Sequence, residues 1–162
     1  APLLGGLRDE DVDRLAQASR LARYAVDEPL LDSRSPTRDV LLLTAGLARL
    51  VVLGGDGQEI TIGDLGEGEI IDLATSAPRG GQAIAVRAVT DCEVLIIDAD
   101  VVGEVGSRNA VLADGFNRVA SIRRRRIERV TDREPITEPR VDSTGRVTAA
   151  AAGNEPVQDG GP

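Results

Sequence analysis

Arg123-Arg124-Arg125-Arg126, followed by Arg129, is the densest charge feature of the chain. Guanidinium groups so concentrated suit phosphate, acidic lipid or nucleic acid. Four consecutive residues, however, sweep most of the way around a helix, so they cannot form one patch and some must face inward. The plainer reading is a solvated helix whose basic end complements the negative C-terminal dipole. The acidic group Asp9, Glu10, Asp11 and Asp13 lacks the Gly and terminal Glu of a calcium loop and reads as helix capping, with Asp9 as the cap. The pairs Asp64/Glu67 and Glu69/Asp72 have the residue types of catalytic carboxylates, but no His, metal-ligand set or aromatic subsite accompanies them.

The absences narrow the chemistry further. The 162 residues include no His, and all 19 basic residues are Arg. Ser-His-Asp and Cys-His nucleophilic catalysis are therefore excluded. Cys92 is the single cysteine, so there is no internal disulfide or zinc-finger site. It reads as a buried strand residue in a reducing, cytoplasmic compartment. Tyr24 and Phe116 are the only aromatics, which leaves no stacking platform for single-stranded nucleic acid. A net charge of -8 argues against nucleic-acid partners in general. The sequence thus predicts no enzyme, no catalytic residue and no metal site. No apolar run approaches the roughly 18 to 20 residues of a membrane span.

The elements that must position these groups fall into zones. Residues 1–22 read as a helical lead-in, with Val12, Leu15, Ala16, Ser19 and Ala22 on one apolar face. Residues 23–98 read as successive short strands. Val40 to Leu43 and Leu47 to Leu53 are separated by Gly46, and Gly54-Gly55-Asp56-Gly57 is the strongest hairpin signal. Residues 83–89 and 93–97 are two further strands. Residues 99–130 turn helical, with Val111, Leu112, Phe116, Val119, Ile122 and Ile127 suiting one long helix. Residues 131–162 hold four of the eight prolines and few large aliphatics, so a disordered tail or linker is expected there. The fold class is mainly β with flanking helices: an eight-strand antiparallel β-roll or jelly roll (a double-stranded β-helix) with one N-terminal and two C-terminal helices.

That order, and several local patterns, resemble the cyclic-nucleotide-binding domain family. Tyr24-Ala25-Val26-Asp27-Glu28-Pro29-Leu30-Leu31 is similar to the family's Tyr, two residues, Gly-Glu, one residue, then aliphatics. Asp27 and Arg34 stand where the family often has turn glycines. The spacing from Tyr24 to Gly46 matches without a gap, with Pro36 in the family's turn. Gly68-Glu69-Ile70-Ile71 resembles the lead into the phosphate-binding cassette, and residues 83–88 resemble the strand after it. The resemblance covers about residues 3–130. It implies a ligand inside the roll, held by amides of a short helix, a Gly-Glu pair and an Arg. A cyclic phosphate is an anion, and helix-terminal amides and a guanidinium suit it.

Two registers place those ligands differently. Without a gap, Asp72 falls on the close-approach Gly, Leu73 on the ribose Glu and Gln82 on the phosphate Arg. All three contacts are then changed, and the cassette is degenerate. With two insertions, Gly68-Glu69 becomes the Gly-Glu pair and Arg79 of Pro78-Arg79 the phosphate ligand, with Gly80, Gly81, Gln82 and Ala83 completing the site. The resemblance then implies one of two functions. One is a degenerate interaction or assembly module of a larger protein, like a domain inserted in an encapsulin-like shell protein. The other is a cAMP- or cGMP-sensing regulatory domain of a channel, transporter or enzyme. No cofactor is required in the first; cyclic nucleotide is the ligand in the second. In both, the chief partner is the remainder of a multidomain parent, through which the domain would also oligomerise. The missing initial Met suggests a piece of such a parent, and the Arg-rich, Lys-free composition is of actinobacterial type.

Overall fold

The structure, a computed structural model, describes residues 5–35, 37–72, 82–133, 140, 141, 144, 147 and 148. It opens with helix α1 (Asp9–Gln17), followed by strands β1 (Ser19–Tyr24), β2 (Pro29–Asp32), β3 (Val40–Ala45), β4 (Ala48–Leu53), β5 (Glu59–Leu65), β6 (Ile70–Ile71), β7 (Ala83–Ala88) and β8 (Cys92–Ile97). Helices α2 (Ala99–Arg108) and α3 (Ala110–Arg133) follow, then the two-residue strands β9 (Arg140–Val141) and β10 (Val147–Thr148). The first eight strands form two four-stranded antiparallel sheets, in the orders β1-β8-β3-β6 and β2-β7-β4-β5. This is the expected β-roll with flanking helices.

The continuous apolar runs of β3 and β8 follow from burial on both faces. Leu41, Leu43, Val94, Ile96 and Ile71 point into the roll, against Leu50, Val52, Ile84 and Val86 of the facing sheet. Val40, Leu42, Ile70, Leu95 and Ile97 point the other way, onto Leu15, Val102, Val105, Leu112 and Phe116 of the helices. Strand β5 has one wet face and alternates instead, with Ile60 and Ile62 buried between exposed Glu59 and Thr61. The next buried residue is Leu65, because the register with β4 shifts between Leu50 and Val51. Such a bulge adds a residue and moves the alternation by one.

Helix α1 departs from the sequence reading at both ends. Its N-cap is Arg8, with no side-chain cap bond, so Asp9 is the first helical residue and not the cap. Ser19 and Ala22, expected on the helix face, belong to β1, which pairs with β8 from Ser19–Ile97 to Tyr24–Cys92. A six-residue ladder on a buried strand outweighs one more helical turn. Asp11, 2% exposed, receives Arg8 Nε at 3.4 Å and lies 3.6 Å from Arg108 Nη2. Arg14 Nη2 donates to Glu104 Oε2 at 2.8 Å. These charges tie α1 to α2. Helix α2 is capped by Asp98, whose side chain accepts from the amides of Asp100 and Val101. In the expected tail, residues 131–133 continue α3, and β9 pairs antiparallel with β10 through Val141 and Val147. Those residues therefore have structure where composition predicted none; the rest of the tail lies outside the described residues.

Cys92 is buried as predicted, and burial pushes its thiol up, while Sγ donates toward the carbonyls of Leu47 and Thr90. At the β2 end, Arg34 Nε and Nη2 donate to Asp32 at 3.0 and 2.7 Å, and this pairing brings the Asp32 carboxyl down to about 2. A depressed carboxyl stabilises the fold above its unfolded value near 3.9, and that contribution disappears as pH falls toward 2. Arg34 is exposed, so solvent screening keeps the contribution of the pair small. Urea midpoints of Arg34→Ala and the unsubstituted chain should therefore converge between pH 4 and pH 2. A constant gap down to pH 2 would show that Arg34 acts by packing alone.

Candidate functional site

The site suggested by the sequence begins in the turn between β5 and β6. Gly68 adopts φ +86° there, and its amide donates to the Leu43 carbonyl at 2.7 Å. The Glu69 carbonyl accepts from Leu43 N at 3.0 Å, which hangs the turn on β3. Glu69 Oε2 accepts from Gly66 N at 2.6 Å, so the carboxylate closes its own turn. Strand β6 follows, and Asp72 comes next, 7% exposed. Gln82 is half-buried, and Ala83 starts β7 on the facing sheet, paired with Leu53. Leu73, Arg79, Gly80 and Gly81 lie outside the described residues.

Opposite the turn runs α3. Leu112, Phe116 and Val119, then Ile127 and Val130 two turns on, form its inward stripe, Leu112 and Ile127 each being 2% exposed. Arg123 falls on that stripe and is 5% exposed. Burial works against its charge, and the carboxylates of Glu69 and Asp72 work for it. Arg124 is half-buried, while Arg125 and Arg126 are exposed. The run is therefore distributed around the helix, as its spacing required. A Cβ built on Gly63 of β5 would lie 2.8 Å from Arg126 Nη1, so α3 crosses that strand closely.

Val111 and Ile122 lie on the long helix as expected, and they are 57% and 55% exposed despite their apolar type. The helix rolls far enough to bury Arg123, which turns Ile122 outward. Arg123 itself was missed as a site residue. The signal was present, since it stands four residues after Val119 and four before Ile127. A charged residue inside an apolar stripe marks a buried partner.

Turn and helix enclose a cavity of about 550 Å³, lined by Glu69, Ile70, Val111, Arg118, Val119 and Arg123 among others. Its volume falls in the range of small-molecule sites. Of the imagined carboxylate dyads, Asp64 is bonded to Arg49 Nε at 2.8 Å, which lowers its pKa, and Glu69 is held by its turn. Among the described residues there is no group of three His, Cys, Asp or Glu able to hold a metal ion. No described helix is long and apolar enough to cross a membrane.

The family model for the cyclic nucleotide-binding domain matches residues 21–109, more than half of the chain. The chain belongs to this family. No curated protein matches it by sequence. Solved structures carry the same fold. A Crp/Fnr-family protein from Eubacterium rectale superposes with a TM-score of 0.70 at 17% identity, over 82% of this chain and 62% of that one. The catabolite activator protein of Thermus thermophilus gives 0.64 at 24% identity, over 82% and 62%. The regulatory subunit of a cAMP-independent protein kinase A from Trypanosoma brucei, as a triply substituted variant bound to cAMP in its A site, gives 0.63 at 16% identity, over 82% and 47%. The chain thus spans 62% of the length of the first two. This cyclic nucleotide-binding domain has its first β-strand residues just before the family match, and α3 beyond it.

Proposed function

We propose that the domain is a non-catalytic roll that has given up its nucleotide and serves as an interaction or assembly module of a larger protein. The observation that carries this reading is Asp72, a buried carboxylate where the gapless register asks for a close-approach Gly. A carboxylate there repels a cyclic phosphate and fills the space its backbone contacts need. Glu69 supports the same register, because its Oε2 is bonded to Gly66 N in the turn before β6. Gln82, in the place of the phosphate Arg, offers at most a neutral hydrogen bond. Family members differ in this respect: the Trypanosoma brucei subunit belongs to a cAMP-independent kinase, yet its substituted form holds cAMP.

The test is a two-dimensional NMR titration of the chain with cyclic AMP and cyclic GMP. Amides of residues 66–72 and 82–88 should stay in place at millimolar ligand in a well-dispersed spectrum. Saturating shifts there at micromolar nucleotide would establish the sensor instead and turn attention to Arg79.

A further inference from the structure

We propose that Arg123 is the roll's resident counter-ion: α3 presents a guanidinium to the carboxylates beside the cassette, and this internal pairing holds the helix on the roll without a nucleotide. The inference deepens the reading of a ligand-free module and rests on it.

Three observations meet at this residue. Arg123 and Asp72 are both nearly fully buried, at 5% and 7% exposure, whereas the other arginines whose burial is described lie at the surface or half-buried. A lone charge is not stable in such a place; two opposite ones with hydrogen-bonding partners are. Arg123 also shares the wall of one cavity with Glu69 and Ile70, which puts the helix and the β5–β6 turn within reach of each other. One turn further on, Ile127 enters the main core with Leu50, Val52 and Ile71, and Arg126 lies over Gly63. The second half of α3 is thus seated at an ionic point and an apolar point on the same face.

The charge arrangement also defines what the site selects. Glu69 and Asp72 attract a guanidinium and repel a phosphate. In the nucleotide-binding scheme the anion is the ligand and the cation sits in the cassette. Here the anions sit beside the cassette and the cation arrives from α3. The helix is consequently docked at all times, and Arg118, Val111 and Ile122 are displayed in one fixed arrangement.

Hydrogen exchange of the full chain tests this. Asp72→Asn is nearly isosteric and removes only the charge. It should raise exchange of the α3 amides between about 119 and 130 roughly tenfold or more, leaving β3, β4 and β8 unchanged. Arg123→Gln should do the same, and Arg123→Lys should retain much of the protection. In the double variant, Asp72→Asn with Arg123→Gln, the effect should not exceed that of the worse single change, because both delete one interaction. Unchanged α3 exchange in Asp72→Asn, or effects that multiply in the double variant, would overturn the pairing. The nucleotide titration separates this from the functional reading. Binding of cyclic AMP together with an intact Asp72→Asn effect would sink the ligand-free reading and leave the pairing. No binding and no Asp72→Asn effect would do the reverse.

Discussion

Asp72→Gly, Leu73→Glu and Gln82→Arg, introduced together, should give the domain measurable affinity for cyclic AMP, while the unsubstituted chain should show none. The argument is one of charge and space. Gly at 72 removes a buried carboxylate and opens the backbone. Arg at 82 starts from a half-buried position at the head of β7 and supplies a bidentate partner for the phosphate. A buried charge pair of this kind is worth about 2–5 kcal/mol, or roughly 30-fold to several-thousand-fold in dissociation constant. Glu at 73, outside the described residues, supplies the ribose acceptor. Asp72→Gly also takes from Arg123 one of the carboxylates that favour its charge, so the variant will melt lower without ligand. Ligand should then restore stability, by about 2.7 kcal/mol at a concentration one hundred times the dissociation constant. Calorimetric titration and thermal melts in parallel read both effects. A folded triple variant that ignores cyclic AMP at millimolar concentration would count against the gapless register.

The second large effect is expected at Gly46, between β3 and β4. Its φ is +94°, and a Cβ there would strike the Asp91 carbonyl oxygen and press on Cys92 Cα and Sγ at 3.0 Å. Gly46→Ala combines a disfavoured backbone with a collision against backbone that cannot turn away. The expected cost is about 2–5 kcal/mol, seen as a lower urea midpoint at constant slope. Gly68→Ala is the control. Its φ of +86° is similar, but nothing lies within 4 Å of the added carbon. It should cost only the backbone preference, about 1 kcal/mol. Equal losses at the two positions would mean that the β3–β4 corner yields, and that the close approach to Asp91 is not structural.

Much of this architecture was legible in the residues, for reasons that are local. Val40 to Leu43 is apolar at every position, and only a strand covered on both faces tolerates that in a polar chain. Gly46 and the Gly54–Gly57 segment announce turns because other residues resist the backbone required. Asp98 announces a helix start because a carboxylate satisfies amides that the helix itself leaves open. The two candidate registers of the cassette, one resting on Asp72 and Gln82 and the other on Arg79, are likewise read from the residues alone.

Other features depended on partners far away in sequence. Ser19 and Ala22 have helical spacing with Leu15, yet they are strand residues because β8 lies alongside them, more than 70 positions later. The phase change in β5 depends on its register with β4. Exposure of Val111 and Ile122, against their apolar character, follows from how α3 rolls when Ile127 is seated in the core. Arg123 is the sharpest case. Its type predicts solvent, its position in the stripe predicts burial, and helical periodicity holds no information on which residues face it across space. Most strands, turns and helices could be located from the residues alone, since propensity, alternation and turn chemistry act between near neighbours. That Arg123 shares a cavity wall with Glu69 depends on the fold, because α3 must return across a turn more than fifty residues earlier in the chain.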